Sequence, residues 1–189
     1  MNRSRPLPTW CTSLAAAALA ALAGCAATPP TVPAALATGP HEVHAMTLAA
    51  EGVQIYECRL AASGTPSWTL VAPEARLFDR QGRHVGHHGA GPHWMAHDGS
   101  RIDGQPKARA DAPAPDAIPW LLLVARASGP RGVLSEVTSV QRVNTSGGKA
   151  PDGACSEQVV GNVVRVPYRA DYRMFVRGKP SGTAQAASY

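Results

Sequence analysis

The sequence predicts a single, mainly β domain, an antiparallel β-sandwich or barrel with long Gly/Pro-rich loops. From Gly52 onward, short runs rich in Val, Ile, Thr and aromatic residues alternate with Gly and Pro punctuation. Beyond the first two dozen residues, no window of about eleven residues holds a 3.6-residue apolar period. A hydrophobic content of 44% with 16% charge supports a packed core, and 189 residues suit one domain.

The chain opens on an export signal. Arg3 and Arg5 precede the apolar stretch Leu14–Ala23, too short to span a membrane and of the length of a signal core. Leu22-Ala23-Gly24-Cys25 follows and resembles the lipobox of bacterial lipoproteins. Residues 1–24 are therefore expected to be removed and Cys25 to carry the lipid, which anchors the chain to a membrane. Ala26, rather than Asp, follows the acylated position, which by the same resemblance favours the outer membrane, with the domain facing the periplasm. Residues 25–40 are rich in Pro and Ala and carry no charge, the composition of an extended tether of ~3.1 Å per residue.

The β domain is expected over residues 41–177. Val53–Leu60 and Trp68–Val71 read as strands, with a turn at Pro73-Glu74-Ala75 and a further strand at Arg76–Asp79. Trp94–Ala96 and Arg101–Asp103 flank Asp98-Gly99, the signature of a two-residue hairpin turn. Such a turn would set Trp94, Ala96, Arg101 and Asp103 on one face, with Met95 and Ile102 opposite. Pro119–Ala127 is the most apolar run and reads as a central strand, while Val133–Val143 alternates like a partly exposed one. Val163–Val166 and Tyr172–Val176 close the domain, and residues 178–189 read as a loose tail.

Cysteine use fits an oxidising compartment. Cys11 leaves with the signal and Cys25 is consumed by lipid, so Cys58 and Cys155 remain as an even pair and are expected to form a disulfide. Loss of Arg3 and Arg5 leaves 16 basic against 13 acidic residues. That excess is too mild for nucleic acid, and no basic cluster with interleaved aromatics exists.

Five segments together resemble the family known as domain of unknown function 3455. They are GVQIYEC (52–58), HHGAGPHWMAHDGS (87–100), APAPDAIPWLLL (112–123), VTSVQRVNTSGGKAP (137–151) and VRVPYRADY (164–172). The resemblance implies an exported β-rich domain and transfers no catalytic residue. His93 and Met95 stand beside Trp94 where the family pattern leads one to expect Thr and Glu.

All seven His lie between residues 41 and 97. His84, His87, His88, His93 and His97 are the weak candidates for metal ligands, because neutral imidazoles bind transition metals well. On a strand, however, His93 and His97 would stand ~13 Å apart at ~3.3 Å per residue. The expectation is no metal and no cofactor. Ser100, Asp98 and His88 or His97 carry the residue types of a hydrolytic triad but lack a nucleophile-elbow motif, so no catalytic residue is assigned. Trp68, Trp94 and Trp120 are expected in the core, the alternative for Trp94 alone, beside Gly and His, being the lining of a cleft. His88, Trp94, Asp98 and Arg101 form the candidate ligand cleft, an aromatic plate with polar neighbours suited to a small polar ligand or a glycan. The reading is thus an envelope lipoprotein that binds or supports and is not an enzyme; the alternative is a metal-dependent or other hydrolase using residues 84–97.

Overall fold

The computed structural model describes residues 31–153 and 155–178. The expected signal, Cys25 and nearly all of the expected tail lie outside these residues. Eight strands follow one another round a closed antiparallel barrel: β1 (Glu42–Leu60), β2 (Pro66–Phe78), β3 (His84–Gly89), β4 (His93–Ala96), β5 (Arg101–Ala110), β6 (Trp120–Ala127), β7 (Val137–Gly147) and β8 (Val163–Arg177). The last strand closes the ring on the first, pairing from Glu42↔Arg177 to Glu57↔Val163. No α-helix occurs among the described residues. The mainly β prediction holds, and the architecture is an up-and-down barrel.

Several strands run further than the sequence reading placed them. β1 begins at Glu42, and Pro73-Glu74-Ala75 lies within β2 rather than in a turn. His84–Gly89, to which the sequence assigns no strand, is β3. The stretch 133–136 precedes β7, whereas residues 163–177 make one unbroken strand.

Two apolar layers hold the ring. Inside, Leu48, Ala50, Leu77, Trp94, Ile102, Leu123, Val140, Tyr172 and Met174 pack against one another. Outside, Leu36 from the short 3-10 turn Ala34–Leu36 is 0% exposed and packs on Trp120, Leu122 and Val143. β6 is therefore covered on both faces, the reason its sequence is one apolar run. Residues 33–40, expected to be free tether, instead strap this outer face. Leu36 O accepts from Gln141 Nε2 at 2.7 Å. Glu42 accepts from Ser139 Oγ at 2.7 Å and from Gly39 N at 2.8 Å, pinning the corner where strap becomes β1. The polar outer residues of β7 are thus buried under the strap rather than partly exposed.

Cys58 and Cys155 form a disulfide with Cα atoms 5.4 Å apart, tying the end of β1 to the β7–β8 connection. Beside it, Trp68 Nε1 donates to Gly153 O at 2.9 Å. Trp68 is half-buried and clamps this connection, in contrast to the core position expected for it.

Candidate functional site

The barrel wall is not equally tall all round. β2 pairs with β3 only through Ala75–Phe78, and β5 pairs with β4 only through Arg101–Asp103. The short β3–β4 hairpin therefore leaves Pro66–Glu74 of β2 and Gly104–Ala110 of β5 without a partner on the sides that face it. A window opens there, above the bond from Gly104 N to Pro92 O. Pro66, Pro73 and Pro106 sit on its two edges, where proline removes ladder donors and discourages another strand from adding on.

Behind the window the interior encloses about 260 Å³. Leu70, Val71, Gly91, Pro92 and Pro106 line its mouth, and Gln54, His88, Trp94, Arg142 and Tyr172 its depth. An eight-stranded barrel is just wide enough to be filled by side chains or to hold one small ligand. Here the filling is incomplete.

The polar depth is built on an aromatic frame. The His88 ring stacks on Trp94 at 4.6 Å, and Tyr172 meets Trp94 edge-on at 5.2 Å. Gly104 makes this possible, because a Cβ there would lie 2.6 Å from Trp94 Cζ3. Burial pushes the His88 pKa down to about 3, so its imidazole is neutral. His88 Nδ1 donates to His93 O at 2.7 Å, which leaves Nε2 as an acceptor. Burial likewise raises the Tyr168 and Tyr172 phenols, whose hydroxyls lie 3.3 Å apart, so both stay protonated. Arg142 Nε and Nη2 donate to Pro119 O at 3.1 and 2.8 Å, and Arg142 makes no ion pair among the described residues.

Two donors in this depth are orphaned. Trp94 is 0% and Gln54 1% exposed, yet neither Trp94 Nε1 nor Gln54 Nε2 has a hydrogen-bond partner. Leaving such a group unpaired costs about 1–3 kcal/mol, so buried polar groups are ordinarily satisfied. Two further orphans, Trp120 Nε1 and Gln141 Oε1, belong to the outer layer.

The structure divides the four residues of the predicted cleft. His88 and Trp94 stand together in the cavity, but Trp94 is fully buried and both rings against it, His88 stacked and Tyr172 edge-on, come from the protein. Asp98 and Arg101 lie elsewhere. The β4–β5 hairpin pairs Trp94↔Ile102 and Met95↔Arg101, one residue out of the register a two-residue turn would give. Its loop is His97-Asp98-Gly99, closed by Ala96 N donating to Ser100 O at 2.9 Å, with Gly99 at φ +83. A one-residue slip exchanges the faces, so Trp94 and Ile102 point inward together while Arg101 and Asp103 pair outside at 2.8 Å.

Asp98 serves the loop. It accepts from Ser100 Oγ at 2.6 Å and from Val133 N at 2.8 Å, and Ser100 is 0% exposed. The triad residue types are therefore not assembled as a triad. His84 and His97 meet edge-on at 4.6 Å, as do His87 and His93 at 5.7 Å. Among the described residues, no three His, Cys, Asp or Glu gather where a metal ion could sit.

A larger cavity of about 520 Å³ opens at the opposite end, floored by Leu48, Leu77 and Leu134. Of its rim charges, Asp79 holds Arg83 at 2.6 Å and Asp98 caps the loop, while Arg80 makes no ion pair among the described residues. No orphaned group borders it. The smaller cavity is the stronger site.

Sequence reasoning missed Gln54, Arg142 and Tyr172. A signal existed for the first: Gln54 stands in phase with Tyr56 and Cys58, all three buried, while Ile55 and Glu57 between them are only half-buried. Arg142 is likewise in phase with inward Val140.

Comparison with known proteins gives one match. No curated protein and no solved structure matches the chain significantly. A family model described as Protein of unknown function (DUF3455) matches residues 39–176, which is the barrel from the corner before β1 almost to the end of β8. The chain belongs to that family.

Proposed function

We propose that this chain is an exported, lipid-anchored envelope protein whose barrel holds one small polar molecule. The binding half rests on one observation above all: two orphaned donors, Trp94 Nε1 and Gln54 Nε2, border an interior cavity that a window connects to solvent. At ~30 Å³ for a water-sized group, 260 Å³ admits roughly nine such groups. That suits a compact molecule and is too small for a glycan chain. Trp94 offers no open face to a sugar, because it is fully buried with His88 stacked on it.

The anchoring half rests on Arg3, Arg5, the apolar stretch and Leu22–Cys25. With Leu36 docked on the barrel, a chain from an acylated Cys25 reaches at most about 40 Å at ~3.3–3.6 Å per residue. The barrel then works close to the membrane, at the periplasmic side of the outer one.

Native mass spectrometry tests the binding. The chain isolated without unfolding should carry a small molecule in one-to-one ratio, lost after unfolding with the disulfide intact. Ala72→Trp, at the window, should abolish it while preserving the strand signature in circular dichroism. An empty natively isolated protein, or unchanged loading in Ala72→Trp, would contradict the proposal. For the anchor, Cys25→Ser should move the protein from the membrane to the soluble envelope fraction; continued membrane association would remove that half.

A further inference from the structure

Resting on the cavity as a ligand site, the inventory of its wall carries a statement about the ligand's charge. The lining contains no Asp and no Glu. Its one full charge is Arg142, half-buried and without a carboxylate partner among the described residues. Two of its nitrogens are held by Pro119 O, which fixes the planar group in place without neutralising it. A backbone carbonyl satisfies donors; it does not supply the counter-charge that a cation withdrawn from water needs.

The tyrosines around Arg142 do not supply it either. Tyr168 and Tyr172 are buried and hydrogen-bond each other through protonated hydroxyls. Tyr56 donates its own proton to Gly148 O at 2.7 Å. The groups left over are therefore one guanidinium and two orphaned N–H donors, Trp94 Nε1 and Gln54 Nε2, against acceptors that are all neutral, His88 Nε2 and Gln54 Oε1.

We infer that the cavity takes a compact organic acid, its carboxylate opposite Arg142 and its acceptor oxygens within reach of the Trp94 and Gln54 donors. Guanidinium and carboxylate match in planar, two-pronged geometry, and the exchange converts an uncompensated charge into a paired one. The apolar mouth formed by Leu70, Val71 and Pro92 accommodates the rest of the molecule. Arg142 is then the residue that selects anions over isosteric neutral molecules.

Three probes of one shape decide it: benzoate, benzamide and benzylamine, titrated calorimetrically into the full chain carrying Cys25→Ser after unfolding and refolding with its disulfide intact. Benzoate should bind at least tenfold more tightly than benzamide, and benzylamine should not bind. Arg142→Gln should bring benzoate and benzamide within twofold of each other, with Arg142→Lys between. Equal binding of benzoate and benzamide to the unsubstituted cavity would overturn the anion assignment while leaving the cavity a ligand site. A preference for benzoate that survives in folded Arg142→Gln would overturn the role of Arg142. Failure of all three probes at millimolar concentration would remove the cavity reading itself.

Discussion

Acidification should destabilise the barrel through His88. The side chain is buried between Trp94 and Tyr172, and desolvation lowers its pKa from the ordinary 6.5 to about 3. The sign follows from proton counting: between those two values the unfolded chain binds a proton at this position that the folded chain refuses. The stability contributed by the neutral ring is complete above pH 6.5 and is lost progressively as pH falls toward 3. At 1.36 kcal/mol per unit, the loss between pH 7 and pH 4 is about 3 kcal/mol, a large part of a typical domain's stability. The comparison variant is His88→Asn, whose amide can still donate to His93 O but does not titrate. Urea unfolding of both proteins at pH 7, 6, 5 and 4 cancels the contributions of the shared Asp and Glu residues. The unsubstituted protein should lose about 3 kcal/mol more than His88→Asn across that range. Parallel curves would refute the buried neutral imidazole and the acceptor role built on it.

Trp94→Ala should cost ~3–5 kcal/mol in urea unfolding, as a fully buried aromatic does, and Gly104→Ala, which drives a methyl into the same ring, about 1–3 kcal/mol. Cys58→Ala and Cys155→Ala should destabilise alike, by up to ~5 kcal/mol for so long a closed loop, with the double variant no worse than either; additive losses would deny the pairing. Leu36→Ala should leave the ring closed but raise amide exchange and proteolysis at residues 33–40, since it removes the strap's buried contact with Trp120 and Leu122. Glu42, whose carboxylate is held below the usual range by Thr138, Ser139 and Gly39 against the opposing effect of burial, should release the strap only as pH falls through that lowered value. Protection of the Gly39 amide, taken relative to its intrinsic exchange rate at each pH, that survives protonation of Glu42 would contradict that anchorage.

The β class was legible because it depends on local features: Val- and Thr-rich runs, Gly/Pro punctuation and the lack of helical period. Ring closure was not, because it rests on the pairing of β1 with β8, segments more than a hundred residues apart with nothing in either to name its partner. β3 was hidden because two Gly and three His make a strand by pairing with its neighbours rather than by propensity. The hairpin at Asp98-Gly99 was recognised and misphased by one residue, and that slip decided which of Trp94 and Arg101 faced inward. The strap was misread for a similar reason: Pro and Ala predict an extended chain, and an extended chain with one Leu can still be docked. His88 and Trp94 were found from their chemistry. Gln54, Arg142 and Tyr172 complete the site from three other strands, a convergence that only the closed barrel creates.

The indole N–H of Trp94 is the most direct reporter of the central claim, that the barrel interior holds a ligand. In a ¹H–¹⁵N spectrum, with the signal assigned through Trp94→Phe, the chain isolated without unfolding is compared with the same chain emptied by unfolding and refolding. The account predicts that the Trp94 Nε1–H and Gln54 Nε2–H₂ resonances move between the two samples, while the Trp68 and Trp120 indoles stay where they are. Superimposable Trp94 and Gln54 signals would contradict it.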